Sequence, residues 1–537
     1  MTAVSAGSPV SVGARSHHPV CAVGAVLLAA FLSNLHGRVF SVGLGDLRGG
    51  MGLGFDEGAW LNAAATAPQI LVAPAVAWLA TVFGVRRLLT VPAVLYMGVS
   101  LAIPLAHGFE ALMVLHVLHG LLLGLFVPAT LMVIVRNLPP RWWLPAIAVY
   151  AFRIAFAQNA GVALAGFYTD GPGWQWLYWQ DLFVVPVMVM LIMLGAPHER
   201  VNRDLLARAD WGGMLLFGAG LALLYAGLDQ GNRLGWSDSG MVVGLLGGGG
   251  ALLAAFLVNE AVVAEPWASA KVLLSRNILL MLVAAMAYTI TSLSNASLVP
   301  NFLLVVRQLR PEQVGPVLLS AVALPLLLLV PLAALLLRWV DARFVLVLGF
   351  AAFAAASLLG TGLTPDWGPD DFVPTALLQA VGQAFTFLAV MLVAFGNSDP
   401  KRATSFSAYI QVLRLGGAEI GNALLTTLLR VREQVHSNLL GQHVLAGSAE
   451  AVARQSVLAG RFVSHDAGSA SARGIGSLAA LVQREANVLA YIDAFRLTFW
   501  LAVAGMLAVA LMMAAPPGPF TPKPPRLPRL RVRAAAR

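Results

Sequence analysis

Apolar residues run in long blocks along almost the whole chain, as in Met188 to Leu194 and Leu324 to Leu337, and the polar residues gather in short intervals between them. A helix that crosses a bilayer needs about 20 mostly apolar residues, because lipid offers no partner to an open backbone group. On that criterion the pattern predicts fourteen spans, centred near residues 31, 71, 97, 125, 157, 187, 221, 249, 289, 327, 353, 385, 420 and 503. The first block, Pro19 to Leu44, is too long for the core of a secretory signal and has no clear cleavage site, so it reads as an uncleaved first span. An even count puts both termini on one side. Lys and Arg are retained in short cytoplasmic loops. With the N-terminus inside, those loops hold thirteen basic residues, among them Arg86, Arg87, Arg136, Arg141, Lys271 and Lys401, and the short outer loops hold Arg48, Arg233, Arg307 and Arg310. The long polar connection from about 431 to 490 lies outside and has room for amphipathic helix.

Composition agrees with this pattern. Hydrophobic residues make up 59% of the 537 and charged residues 11%, and the mean hydropathy is +0.79. A water-soluble surface needs about a quarter of its residues charged, so a set of soluble domains is excluded. The net charge of +9 does not point to nucleic acid. Lys523, Arg526, Arg529, Arg531, Arg533 and Arg537 sit in a proline-rich tail, where they suit anionic lipid headgroups. Cys21 is the sole cysteine, so an intrachain disulfide and a thiolate metal cluster are both excluded.

Short strings recur at a fixed offset of 260 residues. Asn137-Leu-Pro-Pro140-Arg141 returns as Asn397-Ser-Asp-Pro400-Lys401, Gly161-Val-Ala163-Leu164 as Gly421-Asn-Ala423-Leu424, and Leu118-His119-Gly120 as Leu378-Gln379-Ala380. Eight spans separate the matching loops, which two six-helix halves with one extra helix pair between them would give. The expected fold is therefore an all-α membrane protein of fourteen transmembrane helices, two pseudo-symmetric six-helix bundles plus an inserted pair. The expected boundaries are a cytoplasmic tail at 1–18, a first bundle at 19–197, a linker with the inserted helices at 198–265, a second bundle at 266–515 and a basic tail at 516–537.

Several motifs carry a family resemblance. Asp210-Trp211-Gly212-Gly213 through Leu228-Asp229-Gln230-Gly231 to Trp236, and Arg414-Leu-Gly416-Gly417 with Ile420-Gly421, are the strongest. His116-Val-Leu-His119-Gly120 to Pro128 is similar to an R-x-x-Q-G motif, and Gly161 with Gly166-Phe-Tyr-Thr169-Asp170 to an antiporter signature. From about Pro19 to Ala514 the chain resembles the major facilitator superfamily, in its fourteen-helix drug:proton antiporter branch, the EmrB/QacA type. The resemblance implies two bundles around a cavity that opens alternately to each side, with export driven by inward proton flow. Departures stand beside it. The acid expected midway along the first span is His36, followed by Arg38; the arginine and glutamine of the fourth span are His116 and His119; Val162 replaces an expected proline. The gating loop keeps Gly84, Arg86 and Arg87 and lacks its aspartate.

An ionisable side chain at bilayer depth costs at least about 2.5 to 3.5 kcal/mol and normally faces a cavity or a partner. Histidine titrates near neutral pH and can stand in for a missing acid. His36, His116, His119 and Glu419 are thus the candidate proton carriers, against the plainer reading of interhelical hydrogen bonds or, for Glu419, a permanent pair with Arg414. Arg38, Arg153 and Arg414, with Gln379 and Gln383, are the candidate substrate contacts, since guanidinium forks match carboxylates. The plainer reading has Arg38 and Arg153 held by backbone carbonyls, or by Asp46 and Asp181 near the outer surface. Gly247 to Gly250 would allow close helix approach, and Trp142, Trp143, Trp174 and Trp176 would anchor span ends. Zinc is disfavoured because no carboxylate is near the histidines in sequence, and no cofactor is expected. The expected function is a proton-coupled exporter, not an enzyme, of small amphiphilic or acidic organic compounds across the inner membrane. Its partners would be substrate, protons and membrane lipids, with room for a periplasmic adaptor and outer-membrane channel as in some relatives. The alternatives are a lipid-modifying enzyme built on Asp366, Asp370 and Asp371, or a non-transporting sensor.

Overall fold

The computed structural model describes residues 18–126, 130–263, 267–268, 275–397, 403–444, 447–462 and 469–513. Every regular element among them is helical. The basic tail at 516–537, nearly all of the N-terminal tail, Lys271, Lys401 and the side chain of Arg414 lie outside the described residues.

Twelve helices among the described residues are long and apolar enough to cross a membrane. They coincide with twelve of the fourteen predicted spans. The predicted span near 125 falls on the shorter apolar helix Phe109–Gly124 and on Thr130–Asn137 beyond it. The span near 420 falls on Ala403–Gln442, which is 40 residues long but carries Arg414, Glu419 and Asn422 in its membrane-length portion, so it is less apolar than the twelve. Proline and glycine punctuate the helices where the chain must turn. Pro74 sits in a 3₁₀ turn, Ala73–Ala75, inside Phe55–Phe83, and Gly84 ends that helix at φ 80°.

Burial ranks the helices by position. In its most apolar window Asp370–Ala394 is 83% buried and Pro140–Asp170 61%, against 17% for Gly240–Val262. The first two are central and the last is peripheral. Pro140–Asp170 packs along Pro311–Leu318, Leu324–Leu336 and Val373–Asn397. Lipid gives helices no hydrophobic reason to associate, so close backbone contact has to supply the attraction. A Cβ on Gly315 would stand 2.4 Å from Ala163 Cα, and one on Gly166 would stand 2.7 Å from the Glu312 backbone nitrogen. Of the glycines at 247–250, Gly249 meets a neighbouring helix closely, with its Cβ position 2.8 Å from Gly220 O, while Gly247 and Gly250 face open space.

Trp211–Leu234 is tied to Gly240–Val262 by Asp210, whose carboxylate accepts from Gly213 N at 2.8 Å and from Asn259 Nδ2 at 3.0 Å. The long connection of the second half is largely helical. Ala403–Gln442 and the 41-residue Ala470–Ala510 are each about 60 Å long at 1.5 Å per residue, twice the thickness of a hydrocarbon core. Ala449–Gly460 packs on the second of them. Cys21, on the first turn of Pro19–Met51, is a free thiol of intermediate burial.

Gly315→Val would drive a branched side chain into Ala163 and should lower the thermal unfolding temperature of the detergent-purified protein, at a cost of about 1–3 kcal/mol. Gly247→Ala, which meets open space, should leave it unchanged. Equal effects from the two substitutions would show that close packing at Gly315 does not hold these helices together.

Candidate functional site

A cavity of about 310 Å³ lies between the helices. His36, Arg38, His116 and His119 line it from the first half of the chain, Gln383 and Glu419 line it from the second, and Tyr225 reaches it from Trp211–Leu234. Tyr288 and Phe387 add an apolar wall. The four candidate proton carriers read from the sequence therefore share one cavity.

Behind the histidines lies a group that the sequence did not assign to them. Asp181, expected near the outer surface as a partner for arginine, has no exposed surface. One of its carboxylate oxygens is 2.8 Å from His36 Nδ1 and 4.0 Å from His119 Nε2, and it accepts a hydrogen bond from Tyr96 Oη at 2.7 Å. The His36 contact is close without hydrogen-bond alignment, and the other oxygen of Asp181 has no hydrogen-bond partner. It is a close polar contact and not a hydrogen bond. Ser100 Oγ lies 3.1 Å from His119 Nε2, and Tyr96 stacks on the His119 ring with centroids 4.3 Å apart.

His116 is fixed differently. Its Nδ1 is 2.7 Å from Leu112 O; a carbonyl can only accept, so that nitrogen carries the hydrogen and donates. Its Nε2, 2.7 Å from Tyr178 Oη, is then free in the neutral ring to accept from the tyrosine. All three histidines are at most 3% exposed. The cluster draws on five helices, Pro19–Met51, Val85–Ala102, Phe109–Gly124, the short Trp176–Trp179 that carries Tyr178, and Asp181–Gly195.

His36, His119 and Asp181 each offer one atom within 4.8 Å of the others, a spacing that a transition metal could bridge. The carboxylate absent from the neighbouring sequence is thus present in space. Tyr96 and Ser100 already engage Asp181 and His119, so the contacts here form a hydrogen-bonded and Coulombic network.

The arginines divide. Arg38 lines the cavity, and its guanidinium donates to Gln158 O at 3.0 Å and to Ala296 O at 2.5 Å. Ala296 belongs to a π-helical turn, Ser294–Leu298, and such a turn releases carbonyls from the regular ladder. Gly161 makes room for the Arg38 stem, since a Cβ there would stand 2.7 Å from Arg38 Cγ. Arg153 is 2% exposed, donates to Ala30 O at 2.7 Å and lies over the Tyr150 ring at 4.1 Å. It is not among the residues lining the cavity. Gln383 lines the cavity and accepts from Asn159 Nδ2 at 3.3 Å, whereas Gln379 is fully buried away from it.

At the gating loop, Arg86 donates to Ala196 O at 3.3 Å and Arg87 is exposed. Glu199 pairs with Arg136 and lies against Gly84, so it supplies at this loop the acid that the loop sequence lacks. Asp366 is exposed beside Arg307 and Arg484, and Asp371 accepts from Gly368 N at 2.8 Å. Asp366 and Asp371 are therefore engaged in loop structure.

The sequence model of the Major Facilitator Superfamily matches residues 26–422, well over half of the chain. The chain belongs to this superfamily of membrane transporters. Curated relatives include the multidrug export protein EmrB of Haemophilus influenzae, 24% identical over 78% of this chain and 82% of that one. Another is the fatty acid resistance protein FarB of Neisseria gonorrhoeae, 23% identical over 79% and 83%. Among solved structures, the proton:xylose symporter XylE bound to 6-bromo-6-deoxy-D-glucose aligns with a TM-score of 0.54 at 12% identity, covering 91% of this chain and 94% of that one. A bacterial homologue of the human drug peptide transporters PepT1 and PepT2 aligns with a TM-score of 0.55 at 14% identity, covering 92% and 98%. These two establish the shared fold.

Removing one partner of a buried polar contact leaves the other unsatisfied and costs about 1–3 kcal/mol, while replacing both partners with apolar residues costs less. His36→Leu and Asp181→Leu should each lower the thermal unfolding temperature, and the double substitution should fall short of the sum. Strict additivity in that double-mutant cycle would show that the 2.8 Å contact is energetically empty.

Proposed function

We propose that this protein is a proton-coupled exporter of small amphiphilic organic compounds, a fourteen-helix antiporter of the EmrB/QacA type working by alternating access in the bacterial cytoplasmic membrane, with both termini cytoplasmic. In this reading Phe109–Asn137 and Ala403–Gln442 are the two remaining crossings. The observation that carries it is the buried His36, His116, His119 and Asp181 cluster, set directly behind the wall of a cavity shared by both halves.

The cluster supplies what the missing acid of the first span would have supplied. A proton arriving from outside resides on an imidazole beside the Asp181 carboxylate, and the pair is then neutral overall. When the proton leaves to the cytoplasm, Asp181 keeps its charge with Tyr96 as its remaining donor. The two states place different charge at the cavity wall, so substrate and proton bind at each other's expense. Glu419 serves as the second carrier on the facing wall. An acidic substrate would take the Arg38 guanidinium from Ala296 O and so release a contact between the first helix and the second half of the chain. The names of EmrB and FarB, multidrug export and fatty acid resistance, support amphiphiles as the substrate class. Gln383 and Asn422 add hydrogen-bonding groups to a wall otherwise built from Tyr288 and Phe387. If export continues through a periplasmic adaptor and outer-membrane channel, the overlong helices Ala403–Gln442 and Ala470–Ala510 offer the surface on which the adaptor would dock.

Cells producing the protein should expel ethidium or laurate faster than cells without it, and a protonophore should abolish the difference. Asp181→Asn and His36→Gln should each cut the efflux rate by about tenfold or more, as expected for loss of a proton-transfer group. Efflux that persists in the presence of the protonophore would reject the coupling, and absence of any flux would favour a sensor.

A further inference from the structure

The inserted helix Trp211–Leu234 is not confined to the periphery. It carries a carboxyl group, Asp229, that neither the histidine cluster nor the cavity wall accounts for. Asn62 Nδ2 donates to Asp229 Oδ1 at 2.9 Å and lies 3.2 Å from Tyr225 Oη. Asn62 and Tyr225 both line the cavity that holds Glu419. On the other side, Gln230 Nε2 donates to Asp229 Oδ2 at 2.7 Å and Arg233 Nε donates to Gln230 Oε1 at 2.7 Å. Arg233 is paired in turn with Asp56, whose side chain is 78% exposed. Polar groups thus run without a break from the cavity wall to a solvated carboxylate, at the end of the helix that the Lys and Arg distribution places outside.

We infer that Asp229 is the outer station of the coupling proton: it takes the proton from a hydronium ion at the outer end of Trp211–Leu234, with Gln230 and Arg233 holding the carboxylate in place and not relaying the proton, and passes it to Glu419. This rests on the proton-coupled reading given above. In the transfer, the O–H bond of the Asp229 carboxylic acid breaks and an O–H bond forms on the Glu419 carboxylate, leaving Asp229 ionised and Glu419 neutral. Asn62, which donates to Asp229 and lies 3.2 Å from Tyr225 Oη, lines the same cavity as Tyr225 and Glu419.

The partners of Asp229 suit this task. Its hydrogen bonds come from two neutral amides, while Arg233 gives its hydrogen bonds to Gln230 and Asp56. A carboxyl group held by amides can lose and regain a proton without leaving a buried cation unpaired, which one locked to arginine cannot do. The charged and titratable groups around it are few. Its own helix brings Tyr225 and Arg233, and Phe55–Val72 brings Asp56, with Glu57 turned back to cap Gly54 N at 2.8 Å. Ala403–Gln442 brings Glu419 and Arg430, the latter bonded to Asn232 O. Glu260 of Gly240–Val262 lies at the opposite end, bonded to Ala268 N. Along this path Asp229 is the one carboxyl group between Glu419 and Asp56 among the described residues.

The experiment uses the full chain in proteoliposomes with ethidium as probe, over an external pH of about 6 to 8, and infrared difference spectra of the same protein without probe. Asp229→Asn should cut the maximal rate about tenfold or more with KM within about twofold, flatten the dependence on external pH and delete one titrating carboxyl band. Asp229→Glu should restore the dependence. Asn62→Ala, which removes a donor to the ionised form, should move the titration midpoint upward by about half a unit to one unit. An unchanged external-pH dependence and an intact band in Asp229→Asn would overturn the proposal, as would an unmoved midpoint in Asn62→Ala should Asp229→Asn not assemble. Equal loss of probe binding in both Asp229 variants would also overturn it in favour of a structural role. A wild-type protein whose flux ignores the pH gradient, with the carboxyl band still titrating, would reject proton coupling itself.

Discussion

A carboxylate with no exposed surface inside a bundle of apolar helices has to be compensated where it stands, and Asp181 sets this requirement for the first half of the molecule. Its neighbours come from other helices: His36 from the first, Tyr96 from the third predicted span and His119 from the fourth. The compensation is partial. One oxygen lacks a hydrogen bond, and the His36 contact is close without being aligned. A site with unused bonding capacity next to a cavity is suited to gain and lose a proton, because neither state satisfies it completely. The two tyrosines do different work. Tyr96 holds the acid, and Tyr178 bonds His116, whose opposite nitrogen is fixed by a backbone carbonyl.

Where one side chain decided an element, the sequence was easily read; where two distant segments had to meet, it was not. The apolar blocks located the membrane-length helices because their length is set by the bilayer and by backbone hydrogen bonding, both local constraints. His116 and His119, three apart on one helix, could be placed on one face, and both line the cavity. Trp179 and Gln180 make Asp181 look like the edge of a span, and nothing local records that its carboxylate meets His36 of the first helix. The carbonyls that hold Arg38 were equally hidden. One of them is accessible because of a π-helical turn at Ser294–Leu298, whose sequence does not announce that geometry. The loop at Gly84 has no acid of its own, and the one beside it, Glu199, comes from far along the chain.

The two halves are not chemically alike. At the 260-residue offset, His119 corresponds to Gln379. The first is a titratable ring against Ser100 at the cavity; the second is a fully buried amide with neither polar atom bonded among the described residues. Charge in the second half appears instead at Glu419, on a helix that also contacts the inserted one. The cavity is therefore lined by imidazole rings from the first half of the chain and by a carboxyl group from the second.

The lone thiol of Cys21 lies on the first turn of the first helix, against Gly195 at the end of Asp181–Gly195. Among these 537 residues it is the one cysteine. A spin label or fluorophore attached there reports from one bundle without any prior stripping of reactive sulfur. One further cysteine placed in the second half of the chain would then turn the molecule into a ruler for the distance between the two labelled helices.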